Sequence, residues 1–417
     1  MRYRLTCLTP LLVGDGRRLS PIDYMVWKDH VNVLDQWRIF RLLAKGPRLD
    51  GYLAQLKTAE KLDFASWGGF AQNFAGRRIP FESAAYSAYW NRAAGESLHI
   101  PTFAAGASGP YLPGAAIKGA LRTGMLFASW RDGILQDLAA KVKTERPPRH
   151  PAEGVEDHAL GASGFSRMRF VGAGDSAVVG NEAFKVYLLR TSTLQPRGGG
   201  LVLGWKQSPR GAVDGARPDD STPAFAEMAS PGTVFEGRWD ENRFLSSPEV
   251  RRSVRWPESL NRTRFFEAAN VYAAGLIALQ RNYASWAGMG LLDQSLDALE
   301  KRLAEARGSG TCLLSLGWGG GLPAKSAWLD TTNTDYRDIL RQYMFYSGIG
   351  DQRVDGVATS HNSIHHRGAR CPACCVESFL YAHATLRFRP HSILRQQRLR
   401  TAVDGRLAAP RGRRLFA

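Results

Sequence analysis

The chain has 417 residues, of which 44% are hydrophobic and 22% charged, with 11 Trp, 13 Tyr and 19 Phe. Such a composition buries a core and excludes disorder as the main state, and at about 150 residues per domain the length suits two or three domains, or two enlarged ones. Lys and Arg number 55 against 38 Asp and Glu, a net charge of +17 that makes polyanions the first partners to consider. The longest apolar run, Val271 to Leu279, is well short of the roughly 18 residues of a membrane helix, so no membrane partner is expected. Five cysteines, three of them at Cys371, Cys374 and Cys375, are too few for a disulfide scaffold and fit a reducing cytoplasm.

In chain order, residues 2–13 read as a first strand rather than a signal peptide, because Thr6, Thr9 and Pro10 interrupt the apolar stretch. The strand ends at Gly14-Asp15-Gly16, a turn that glycine makes cheaply. Tyr24 to Leu34 reads as a hairpin turning near Lys28-Asp29, and 35–45 as a helix, followed by a less regular Gly- and aromatic-rich region to residue 110. Over 113–130, Pro113 suits a first helical turn and Ile117, Leu121, Met125 and Ala128 form one apolar stripe. Lys141 to Pro151 reads as an exposed linker, and Phe184 to Arg190 as a strand. Residues 191–223 carry turn signals, and a boundary between two halves is placed near 190. Thr233 to Trp239 reads as a strand, Arg262 to Arg307 as a long helix or two broken around Gly288-Met289-Gly290, and Cys312 to Leu316 as a strand feeding a glycine-rich loop.

Two glycine-containing elements carry chemistry. Lys118 and Arg122 are four apart on one helix face, in first turns whose unpaired N–H groups favour an anion, and Gly114, Gly119 and Gly124 let a bulky backbone approach. A solvated basic face is the plainer reading of the same residues. A P-loop is excluded, since no GxxxxGK[ST] occurs. In Gly317-Trp318-Gly319-Gly320-Gly321-Leu-Pro-Ala-Lys325, backbone amides and Lys325 suit phosphates and Trp318 suits a base, while a tight turn with Trp318 filling the core is the alternative. Residues 386–417 add nine arginines against Asp404 alone.

Cys371 and Cys374 form a CxxC pair that, with Cys375 and His366 or its neighbour His365, would hold a structural zinc. No second CxxC accompanies it, and reduced cysteines beside exposed histidines are the alternative. No GxSxG, HExxH or clustered carboxylates appear, and Asp23 and Asp175 read as turn caps, so no catalytic residue is assigned.

The segments Leu8-Thr9-Pro10-Leu11 into Gly14-Asp15-Gly16, Leu19-Ser-Pro-Ile-Asp-Tyr24, Tyr111-Leu-Pro-Gly-Ala-Ala-Ile-Lys-Gly-Ala-Leu-Arg122, Gly174-Asp175-Ser176 and Gly317-Trp318-Gly319 resemble the RAMP superfamily of CRISPR systems. Within it they are similar to the family that is fifth in the Csm series of type III-A effectors. The resemblance implies an α+β chain of two ferredoxin-like (RRM-like) domains, 1–190 and 191–417, the second carrying a Cys/His insertion at about 340–385 and an Arg-rich tail. It implies a non-catalytic antiviral subunit that binds CRISPR guide RNA, caps the complex at the guide 3′ end and assists its maturation. Its partners would be the repeated backbone subunit and the small subunit, with target RNA met indirectly. Gly14, Gly16, Gly114, Lys118 and Arg122 would contact RNA in the first half, and Trp318, Gly319, Gly320, Gly321 and Lys325 in the second. Phosphate and 2′-OH contacts suit a guide whose spacer varies, because they are blind to sequence. The competing reading is a metal-independent endoribonuclease that processes precursor guide RNA, for which His99 is the histidine placed near the first motif.

Overall fold

The strand β1 (Arg2–Cys7) buries every second side chain, Tyr3, Leu5 and Cys7, as a strand with both neighbours present should. After it come the hairpin β2 (Tyr24–Trp27) and β3 (His30–Leu34), helix α1 (Gln36–Leu43), β4 (Ala75–Pro80), helices α2 (Gly114–Ala128) and α3 (Glu153–Leu160), and strands β5 (Val171–Ser176) and β6 (Phe184–Leu189). The second half holds β7 (Ser192–Arg197), β8 (Gly200–Trp205), β9 (Ala224–Ala229), β10 (Val234–Glu241), α4 (Pro248–Ser253), α5 (Arg262–Ala287), α6 (Gly290–Gly308), β11 (Cys312–Ser315), α7 (Pro323–Ser326) and β12 (His383–Phe388). The computed structural model describes residues 1–339, apart from 45–47, 59, 63–70, 132, 147, 198–199, 208–214, 257–258, 320–322, 331–332 and 337, together with 383–388.

The central sheet has the order β11-β12-β1-β10-β5, with every neighbouring pair antiparallel. Leu5 lies opposite Phe235 of β10 on one side and Leu386 of β12 on the other. Followed along the chain, β1-α2-β5-β10-α5-β12 is a β-α-β-β-α-β connection, with α6 and β11 inserted before its last strand. The expected α+β class is thus observed. Among the described residues this connection occurs once, built from strands at both ends of the chain, rather than once in each half. The remaining described strands form ribbons of two or three, so strands on the two sides of residue 190 pair with each other, β6 with β9 and β1 with β10.

Helix α2 buries Ile117, Leu121 and Met125 at helical spacing and packs along α5. The stripe departs from expectation at its end: Ala128 is exposed, and Gly124 and Leu126 are buried instead. Pro113 stands one position before the first turn, as the N-cap. The long C-terminal helical stretch does break where glycine permits it, Gly288 taking φ +65° between α5 and α6. The turn-like region after residue 191 is partly a hairpin, β7 pairing with β8 from Ser192–Trp205 to Arg197–Gly200. Pro196 and Gly200 gave it a loop's composition, yet Leu194 is fully buried with Tyr283 of α5, whose hydroxyl lies 3.0 Å from Ser192 Oγ. No described helix is long and apolar enough to cross a membrane.

Candidate nucleic-acid interface

The motif-bearing loops gather at one end of the central sheet, where β1, β5 and β11 finish and β10 and β12 begin. A run of hydrogen bonds ties them together. Trp318 N–H donates to Leu12 O (2.8 Å), Ala104 N–H to Val13 O (2.8 Å) and Tyr111 N–H to Ala104 O (3.0 Å). Leu112 and Ser176 then bond each other, Leu112 N–H to Ser176 Oγ (2.9 Å) and Ser176 N–H to Leu112 O (3.0 Å). Two glycines are required by this closeness. A Cβ on Gly317, whose φ is +77°, would lie 2.1 Å from Leu12 O, and one on Gly114 would lie 2.1 Å from Ala173 O. Gly16 and Gly319 also take positive φ, +88° and +92°, whereas Gly14 does not and instead passes close to Thr102 O.

The start of α2 is not the open anion site its sequence suggested. Asp175 at the end of β5 accepts the Gly114 N–H at 2.9 Å, so a carboxylate of the chain already occupies the first turn. Asp23 is a cap as expected, accepting from Ser20 N–H at 2.7 Å and Ser20 Oγ at 2.6 Å. Beside Asp175, the Tyr3 hydroxyl donates to Gly174 O at 2.9 Å, and burial together with that carboxylate raises its pKa well above the usual tyrosine range.

The two cations of α2 differ in their surroundings. Lys118 is half-buried and makes no ion pair among the described residues. Arg122 is paired with Glu156 of α3 and lines a cleft of about 630 Å³ with His150, Glu153, Glu156 and Asp157. That wall is acidic, and Arg122 is paired with a carboxylate of its own chain. Nearer the glycine loops, Arg17 lies 3.6 Å from Asp15 and Arg18 3.7 Å from Glu96.

Trp318 is half-buried against the main core, closer to the structural alternative than to a free stacking platform. Lys325 is exposed on α7, whose Ala324 packs with Phe127, Tyr272 and Leu276 of the α2–α5 pair. Gly320 and Gly321 lie outside the described residues, as do Cys371, Cys374, Cys375 and His366. Cys7 and Cys312 are free and buried, and burial pushes the Cys7 thiol up to about 12 and the Cys312 thiol well above its usual value. His99 lines a shallow cleft with Glu60 and Glu96, and its Nδ1 is buried with no hydrogen-bond partner among the described residues.

A family model described as the RAMP superfamily matches residues 4–322. The chain belongs to the RAMP superfamily. This RAMP protein is similar in fold to a chain of a Csm–crRNA–target RNA ternary complex of a type III-A CRISPR–Cas system, solved by cryo-electron microscopy. The TM-score is 0.58 at 18% identity, covering 82% of this chain and 92% of that one. It is also similar to the crystal structure of T. onnurineus Csm5, with a TM-score of 0.52 at 15% identity over 83% of this chain and 94% of that one. No curated protein sequence matches it.

Proposed function

We propose that this RAMP protein is a non-catalytic, guide-RNA-binding subunit of a type III-A (Csm) effector complex, capping the assembly at the guide 3′ end and assisting guide maturation. The observation that carries the reading is the likeness to a chain taken from a Csm–crRNA–target RNA complex, which extends over nearly the whole of that chain. The +17 charge and the convergence of the glycine loops at one sheet end support a backbone-reading RNA contact there. Lys118, set one helical turn below Gly114 and in no ion pair among the described residues, is the cation of α2 assigned to a phosphate. Purifying the tagged chain from its host at moderate salt, with sequencing of the bound RNA and identification of the co-purifying proteins, tests the reading. Discrete RNAs sharing a constant repeat-derived end, together with Csm-like subunits, are expected. Heterogeneous RNA or none, with the chain alone, would sink it.

The endoribonuclease reading has one observation in its favour, the buried His99 Nδ1 that meets no hydrogen-bond partner among the described residues, beside two carboxylates. Both carboxylates are engaged, Glu60 accepting the Gly95 N–H at 2.6 Å and Glu96 facing Arg18. A single-turnover assay on repeat RNA with the wild type and His99→Ala separates the two, because a binder leaves the RNA intact.

A further inference from the structure

The end of the sheet opposite the glycine loops carries a second feature. Here β10 finishes and β5, α5 and β1 begin, about 26 Å away along the eight residues of β10. The segment Arg243–Arg264 joins β10 to α5 and holds six arginines against Glu249 and Glu258, and Arg167 and Arg169 immediately precede β5. The two stretches are held in one corner: Asn242 N–H donates to Phe170 O (2.9 Å) and Trp256 Nε1 to Phe165 O (3.2 Å). Leu245, Val254 and Trp256 anchor the segment to the main core. Phe165 and Phe244 stay outside, 61% and 69% exposed.

The carboxylates of this corner do not neutralise it. Asp240 faces Arg238 and Glu241 faces Arg262, whereas Arg243, Arg251 and Arg255 make no ion pair among the described residues. Arg167 is 9% exposed, donates through Nη1 to Ala159 O (3.1 Å) and leaves its buried Nε without a partner among the described residues. The Arg264 guanidinium, of the same sign, adds to burial in holding Arg167 below the usual arginine range. Arginine and aromatic rings are also enriched at protein–protein interfaces, but here Arg243, Arg251 and Arg255 meet no carboxylate among the described residues and the whole chain carries +17, which favours a polyanion. The corner has what a single nucleic-acid strand needs, cations for phosphates and apolar rings on which bases of any sequence stack.

We propose that the corner formed by Phe165, Arg167, Arg243, Phe244 and Arg251 is a second binding surface for single-stranded RNA, at the opposite end of the sheet from the glycine loops. It rests on the RNA-binding reading and adds a place on the chain where the strand runs. The test is fluorescence anisotropy of the full chain with a labelled, unstructured RNA of about 20 nucleotides across a range of salt. In Arg243→Gln/Arg251→Gln the slope of log K against log salt falls by about 1.4, at about 0.7 per lost phosphate contact. Phe165→Ala/Phe244→Ala weakens binding about tenfold or more at unchanged slope, with an unchanged melting temperature because both rings are exposed. Wild-type binding with both variants indistinguishable from it overturns the corner and leaves RNA binding standing. Failure of the wild type to bind with any salt dependence overturns both. Variants that bind RNA normally but lose a co-purifying protein subunit overturn the proposal in favour of a protein interface.

Discussion

Arg77 on β4 forms an ion pair with Glu227 on β9, whose carboxylate is fully buried while the Arg77 side chain is 22% exposed. One guanidinium nitrogen donates to Glu227 Oε2 at 3.2 Å, and the group lies 6.0 Å from the Phe184 ring. The pair joins the β2–β3–β4 ribbon to the β6–β9 ribbon, which also meet at the bridge of Phe81 with Val186 and in a shared core of Tyr24, Val31, Ile79 and Phe225. Removing one partner leaves a buried charge unanswered. Arg77→Ala is therefore expected to destabilise the chain by about 3–5 kcal/mol, and Arg77→Leu/Glu227→Leu to recover most of the loss. Denaturant unfolding of the three proteins checks this, and a double variant as weak as the single one would contradict it.

The close approach at Gly114 leads to a second expectation. A methyl group there would meet Ala173 backbone oxygen, which cannot swing away as a side chain can. Gly114→Ala should cost about 2–4 kcal/mol and shift α2 off β5. By contrast Asp175→Ala removes only the acceptor of the Gly114 N–H, with a loss of about 1 kcal/mol, and leaves RNA affinity undiminished because it subtracts a negative charge from the glycine end. Thermal melts and the anisotropy titration distinguish the two.

Alkaline pH gives a third. Burial raises the Cys7 thiol to about 12 from 9.0, and the Tyr24 hydroxyl, bonded to Leu98 O at 2.6 Å, to about 12 from 10.0. Below pH 9 both groups are protonated in the folded and unfolded chain, and stability does not depend on them. As pH rises from 9 to 12 the unfolded chain releases these protons and the folded one keeps them, so stability falls by about 1.4 kcal/mol per pH unit for each group once its unfolded pKa is passed. The same burial leaves Cys7 and Cys312 unlabelled by iodoacetamide in the native chain at pH 8. A flat stability profile over that range would contradict the burial argument.

Local pattern made several elements legible in the sequence. The β2–β3 hairpin turns at Lys28, as read, and the Ile117-Leu121-Met125 spacing places the buried face of α2. Sheet order was not legible, because β1 takes β10 and β12 as neighbours from more than 200 residues away and no local periodicity encodes that choice. The β7–β8 hairpin was hidden by Pro196 and the glycines of its turn, whose composition is that of a loop even though Leu194 is core. At the site, Gly114 signalled a close backbone approach while Gly317 did not, and the atoms the two approach belong to β5 and to Leu12, distant in sequence. The Arg243–Arg264 segment escaped notice because buried Trp256 and Leu260 break it up, and it becomes a corner only when Phe165 and Arg167 are brought beside it.

The cations of α2 supply the last expectation, and here the fold separates residues that the sequence treated alike. Spacing alone gives Lys118 and Arg122 equal claims on a phosphate, with equal losses on substitution. Glu156, on α3, pairs with Arg122 within a wall that also holds Glu153 and Asp157. A phosphate approaching that wall meets more negative charge than positive. Lys118→Ala should therefore lower the salt slope of RNA binding by about 0.7, while Arg122→Ala leaves the slope nearly unchanged. Because both side chains of the Arg122–Glu156 pair are partly exposed, 39% and 44%, Arg122→Ala should cost no more than about 1 kcal/mol of stability. Glu156→Gln supplies the decisive control: freeing Arg122 from its partner should steepen the salt dependence. If Arg122→Ala lowers the slope as much as Lys118→Ala does, the ion pair opens to admit RNA and the acidic wall does not repel it.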